Sequence, residues 1–472
     1  MIDYLVVFVI ILILLFIKPS TFDLIKARSA KLVKSCMSIK CVRIRQTFDN
    51  QGTNVAHAVS SEIVHFDFLD GFRGLCAFIV IVIHSLGASP QIDYKNTLIQ
   101  HMCINGTLTQ AIAMPGFFLL SSFLLTYRLM SELLLVDSIF LDSSKLIVKY
   151  FIRRFFRIYL PFVIFCACIK YSPKKWGKIL IYDDIPIFSE LVWLSFNIGG
   201  NNHLWTIPLE INYYFFIPFI CMSYLLIYRL SRKVLYVILF ACIYLSIKHF
   251  QHNMLSYMPK NPFINNLNDM RAPTFSTFLC GSLLAFTYLT FENLCSNTCL
   301  FKWVISSRLF QILLNLPTIS LIIYGFRSEY LQDHKGGDGR YLYWYKGAYF
   351  WSITIFVLLL SQNEYNLGRM FFNMSLMKKF GIYSYGIYLW HPVAIKLTER
   401  INLEYKLIRF KNPYEYFGVI CVLSFLFGLV FYYLIEKNMI RIASYLCKRS
   451  CLKSSKRNNN LSLLVSAQPT KE

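Results

Sequence analysis

The chain has 472 residues, of which 56% are hydrophobic, 17% aromatic and only 15% charged. Soluble domains carry nearer a quarter charged residues, so the composition argues against a string of water-soluble domains and for a multi-span membrane protein. The net charge of +23 does not indicate nucleic acid, because the basic residues gather at the ends of apolar runs and in tails, the pattern of membrane topology and of attraction to anionic lipid head groups.

Eleven spans are predicted in chain order, near 2–17, 71–89, 110–127, 155–170, 206–228, 234–250, 273–291, 309–326, 345–361, 381–397 and 415–435. Each approaches the roughly 20 residues that cross a bilayer core. The fold class expected is therefore all-α, a polytopic membrane helix bundle of about 11 transmembrane helices. The first run, "MIDYLVVFVIILILLFIK", lacks a basic n-region and a small-residue cleavage pattern and is followed by a basic stretch. It reads as an uncleaved anchor, with a cleaved secretory signal as the alternative. Residues 1–20 are then the anchor and 21–65 a basic cytosolic linker. The membrane domain occupies 66–440, and 441–472 is a basic, disordered cytosolic tail.

With the N-terminus outside or lumenal and the C-terminus cytosolic, the inner segments hold the larger share of the 48 Lys and Arg, as the positive-inside rule requires. Two outer loops, "KYSPKKWGK" and "KLTERINLEYKLIRFK", remain basic. The membrane itself, endoplasmic reticulum or plasma membrane, is left open. Half of the 14 cysteines lie inside spans as small apolar fillers, and only Cys103 falls outside, so no extracellular disulfide framework can form. The sequon at Asn105 faces outward and is a glycosylation candidate; those at Asn373 and Asn460 face inward.

No nucleotide-binding loop and no HExxH pattern occurs, neither C-x3-C pair (Cys295 with Cys299, Cys447 with Cys451) has a histidine near it, and no metal site is expected. The chemistry lies instead in polar residues set within apolar helices, which are costly there and mark functional sites. In "DFLDGFRGLCAFIVIVIHSLGASP", Arg73 and His84 are eleven positions apart. That spacing exceeds three helical turns by only about 20°, so both share one face, about 16 Å apart along the axis. The helix offers a cation for a charged ligand at one level and a titratable base at another. A histidine hydrogen-bonded between packed helices is the alternative reading.

"YFIRRFFRIYLP" places Arg153, Arg154 and Arg157 at the cytosolic start of the fourth span. Three guanidiniums could grip phosphates through bidentate contacts, or serve as positive-inside anchors. "HLWTIPLEINYYFFIP" sets Glu210 seven residues after His203, on a shared face if the segment is helical. Glu210 could pair with an arginine or orient a histidine. "SYGIYLWHP" adds His391 directly before Pro392, which should bend its helix.

These strings, in this order, resemble the acyltransferase 3 family of integral membrane O-acyltransferases. "LDGFRGLCAFIVIVIH" is similar to its first-helix pattern, "FFLLSSFLLTYR" to its second, "RRFFRIYLP" to its third and "HLWTIPLE" to its fourth. "FLCGSLLA", "YSYGIYLWHP" and "YYLIEK" resemble later elements, and "HLWTIPLEINYYF" is closest to animal members. Ser122 departs from an expected glycine, and Ile211 and Asn212 from acidic and amide residues.

The resemblance implies a ten-helix domain that passes an acyl group from cytosolic acyl-CoA, acetyl-CoA first among the candidates, to a hydroxyl on a lipid, glycan or small molecule at or across the membrane. It implies catalytic roles for His84, Arg73 and Glu210 and donor binding by Arg73, Arg153, Arg154 and Arg157, with His203 and His391 in support. The expected partners are the bilayer, acyl-CoA and the acceptor. A catalytically silent relative acting as scaffold or sensor would be expected to have lost Arg73 or His84. A transporter would be expected to show inverted repeats or paired broken helices, which the sequence does not display.

Overall fold

Apolar segments with few charges satisfy their backbone groups internally as helix, and among the described residues of the computed structural model there is no strand. The described residues are 66–86, 106–136, 138, 140–171, 203–256, 271–297, 304–326, 339–362, 365–403 and 413–448. The predicted anchor, the linker and the sequon at Asn105 lie outside them.

Each predicted span from the second onward coincides with helix over nearly all of its described residues. They are α1 (Asp67–Leu86), α2 (Gly106–Leu133), and α3 (Leu141–Arg154) continued through a π-helical turn (Phe155–Tyr159) into α4 (Leu160–Lys170). A 3-10 turn (His203–Trp205) opens α5 (Thr206–Leu230), followed by α6 (Arg232–Ser256) and α7 (Arg271–Asn297). The eighth predicted span is interrupted at Leu314 into α8 (Arg308–Leu313) and α9 (Asn315–Phe326). After α10 (Gly339–Leu360) come two short helices, α11 (Leu367–Phe372) and α12 (Ser375–Ile382), then α13 (Ser384–Leu403), which stays helical through Pro392. Last is α14 (Pro413–Phe431), which passes through a second π-helical turn (Tyr432–Glu436) and remains helical to Lys448, into the stretch read from sequence as tail.

Among the described residues, four helices are long and apolar enough to cross a membrane: Ala113–Leu133, His203–Leu230, Thr274–Leu294 and Tyr414–Lys448.

Helix α2 is the hub, packing on α1, α5, α7 and α10. Its seam with α5 and α7 carries buried hydroxyl pairs, the short interhelical bonds that hold membrane helices together. Thr126 meets Ser282 at 2.7 Å, Ser282 meets Tyr213 at 2.8 Å and Tyr224 meets Thr290 at 2.8 Å. Ser122 turns its hydroxyl back to the Phe118 and Leu119 carbonyls of its own helix, both at 3.0 Å. A side chain at Gly281 of α7 would come within 1.9 Å of that hydroxyl and 2.3 Å of the Leu119 carbonyl. The bulk that the sequence adds at Ser122 is thus matched by a glycine on the facing helix.

Helix α1 is pinned from the other side by α11 and α12. A Cβ at Gly71 would sit 1.8 Å from the Phe372 carbonyl oxygen, and one at Gly381 would sit 1.7 Å from that of Asp70. Only hydrogen fits between backbones that close. Phe72 and Trp351 meet edge to face, 4.5 Å between centroids, and complete the clamp. The start of α1, where Arg73 stands, is thereby held rigidly.

Candidate active site

Two polar clusters stand at different levels of the bundle, and the same three segments feed both. Helix α1 supplies Arg73 to one and His84 to the other. The α5 segment supplies Glu210 and His203, and α13 supplies Tyr385 and His391. From charged level to histidine level, α1 and α13 run forward along the chain and α5 runs backward.

At the histidine level, His84 Nδ1 and His391 Nε2 lie 2.7 Å apart, although 307 positions separate them in sequence. Their planes differ by 11° and their centroids are 4.9 Å apart. With the nitrogens so much closer than the centroids, the rings meet edge to edge in a hydrogen bond rather than face to face in a stack. His391 is fully buried, at 0% exposure, while His84, in the last turn of α1, keeps an exposed edge. His203 packs perpendicular to His391, at 80° and 5.3 Å between centroids. The Tyr388 hydroxyl donates to the His203 carbonyl, so in its 2.7 Å contact with Thr206 the Thr206 hydroxyl is the donor. Among the described residues no group of His, Cys, Asp and Glu could hold a metal ion.

At the charged level, Arg73 donates to Asp70 at 3.1 Å, one turn earlier on α1. It also interacts electrostatically with Arg157 and Glu210. Glu210 accepts a 2.5 Å hydrogen bond from Ser121 of α2 and has Tyr214 and Tyr385 in its field. Glu210 thus lies in the electrostatic field of Arg73, with Ser121 as its hydrogen-bond donor. The 3-10 turn before Thr206 breaks the single helix that would have stacked His203 over Glu210.

The three arginines of the third motif have different partners. Arg153 donates to Glu132 of α2 at 2.7 Å, and Arg128 approaches the same carboxylate at 3.5 Å. Arg154 lies near Tyr150 and Tyr214, and its Nε is buried without a hydrogen-bond partner. Arg157 interacts with Arg73 and with Glu436. Between Arg153 and Arg157 the chain passes from α3 into the π-helical turn at Phe155–Tyr159, which widens the helix and changes the angular step from one side chain to the next. The same turn presents the Ile158 carbonyl to the Tyr385 hydroxyl of α13, at 2.8 Å.

Glu436 is the residue sequence reasoning passed over. It ends the second π-helical turn, is only 5% exposed and shares its field with Arg157 and Arg73. A carboxylate inside an apolar run was the available signal. Asp70, Ser121 and Tyr388 were also missed, since polar residues at helix starts or on aromatic-rich faces show no distinctive spacing.

The model of an acyltransferase domain family, the acyltransferase 3 type, matches residues 66–433. That match takes in both clusters except Glu436. No curated protein matches the chain.

Proposed function

This chain belongs to the acyltransferase 3 family, and from that premise we propose that it moves an acyl group from acyl-CoA to a hydroxyl acceptor across the interval between the two clusters. The observation that carries the proposal is the shared scaffold: α1, α5 and α13 each present one residue to the charged level and one to the histidine level. The charged level suits the donor. Arg73, Arg154 and Arg157 supply guanidiniums for the phosphates of the cofactor moiety, and Glu210 lies in the field of Arg73 when it is absent.

The histidine level suits the acceptor. The exposed edge of His84 takes the proton of a hydroxyl as its oxygen attacks the thioester carbonyl. The carbon–sulfur bond then breaks, and the departing thiolate recovers the proton from the imidazolium. Apolar residues of α1 between the levels, Ala77, Val80 and Ile81, are buried and keep water from competing for the thioester.

In this reading the domain spans 66–440, Arg73 faces the cytosol and the histidines lie toward the outer or lumenal side of an endoplasmic reticulum or plasma membrane. Acetyl-CoA is the first donor to test, and lipid, glycan and small-molecule hydroxyls are the acceptors. The test incubates membranes containing the protein with labelled acetyl-CoA and longer acyl-CoAs and follows the label into lipid, glycan and protein. Transfer that disappears in His84→Ala and His84→Gln is the expected result. Full transfer by correctly folded variants would overturn the assignment.

A further inference from the structure

Proline at position 392 has no N–H, so the carbonyl four residues earlier, that of Tyr388, loses its helical donor. The ring of the neighbouring residue takes that place: His391 Nδ1 lies 2.8 Å from the Tyr388 oxygen and 3.3 Å from that of Ile387. A carbonyl can only accept, so Nδ1 of His391 carries a proton. The ring is wholly buried and faces His84, His203 and Tyr388, with no carboxylate in contact among the described residues. A cation there would be buried without an anion, which is costly, so His391 is neutral and its Nε2 holds a lone pair. That lone pair meets His84 Nδ1 at 2.7 Å, which makes His84 the donor and leaves its own Nε2 bare.

We infer that His391 is a positioning residue: through the carbonyl that Pro392 sets free, it fixes the tautomer of His84 so that Nε2, the nitrogen not facing His391, is the proton acceptor. A second helical carbonyl, that of Leu389, takes a hydrogen bond from His203, so α13 steadies two of the three rings through its own backbone. The logic is that of a base held in one tautomer by a group that never touches substrate. The rate part of the inference rests on the acyl-transfer reading; the tautomer part does not.

The test uses the full chain in liposomes, labelled with 15N-histidine and observed by solid-state NMR, together with label transfer from acetyl-CoA. Four proteins are compared: the wild type, His84→Gln to assign the signal, His391→Phe, and His391→Gln, whose amide oxygen can replace the Nε2 acceptor. The expected result is a His84 ring protonated at Nδ1 and bare at Nε2 in the wild type and in His391→Gln, and a mixture of tautomers in His391→Phe. Transfer by His391→Phe should fall about 10- to 100-fold with donor KM unchanged, and His391→Gln should recover most of it.

A wild-type His84 that carries its proton on Nε2 overturns the inference, even if the Phe variant fails to fold. So does a His391→Phe protein with wild-type spectrum and rate. If His84→Gln transfers label at full rate, the acyl-transfer role of His84 falls, and the spectra still decide the tautomer.

Discussion

Arg157 and Glu436 each occupy a π-helical turn, and those two turns, in segments almost 280 residues apart, bring the guanidinium and the carboxylate into one electrostatic field with Arg73. A π-turn inserts one residue into a helix and redirects the side chains beyond it, and such turns concentrate at functional sites. Here both insertions serve the same cluster.

The first prediction is energetic coupling between these two residues. Glu436→Ala and Arg157→Ala should each destabilise the protein, and the double variant should lose less than the total of the two, by about 1–3 kcal/mol. Unfolding midpoints of the four proteins in one detergent give the cycle. Strictly additive losses would show that the two charges do not support each other.

The arginines of the third motif should separate by function. Arg157→Ala and Arg154→Ala are expected to raise donor KM about tenfold, in line with the loss of one charge-assisted contact. Arg153→Ala, whose guanidinium is held by Glu132, should leave donor KM nearly unchanged and lower stability slightly. Saturation curves with labelled acetyl-CoA decide between this division and three equivalent arginines.

Glycine substitutions give a prediction independent of chemistry. Gly71→Ala and Gly381→Ala would each drive a methyl group into a backbone carbonyl, which no rotamer change relieves. Both should cut the yield of folded protein severely. Gly418→Ala is the control, since a Cβ there meets nothing within 4 Å. Helix propensity makes it neutral or stabilising by up to about 1 kcal/mol. Equal behaviour of the three variants in size-exclusion profiles would refute the clamp on α1.

At the seam of α2 and α7, Gly281→Ala should destabilise by clashing with both the Ser122 hydroxyl and the Leu119 carbonyl. Adding Ser122→Gly removes only the first obstacle, so partial recovery of the unfolding midpoint is expected. Complete recovery would mean that the backbone can yield at Leu119.

Sequence periodicity carried much of this architecture. The helices beyond the anchor, the placing of Arg73 and His84 on one helix, and the polar opening before Thr206 follow from apolar run length, the 100° step and composition. What periodicity could not carry were interruptions of the α-helix itself. The π-turns at Phe155–Tyr159 and Tyr432–Glu436 and the 3-10 turn at His203–Trp205 leave the apolar pattern intact while moving the side chains that matter. For that reason Arg153 was grouped with Arg157, and His203 with Glu210. The pairing of His84 with His391 was invisible for another reason: it is a tertiary contact between distant helices, and a single sequence records no such contact.

That distance has a biosynthetic consequence. Because the ring at position 84 meets its partner only after another 307 residues have been made, the nascent chain carries a lone imidazole through most of its synthesis and insertion. Long-range contacts of this kind form late in folding. A ribosome product that stops before α13 would thus lack the ring that His84 meets in the complete protein.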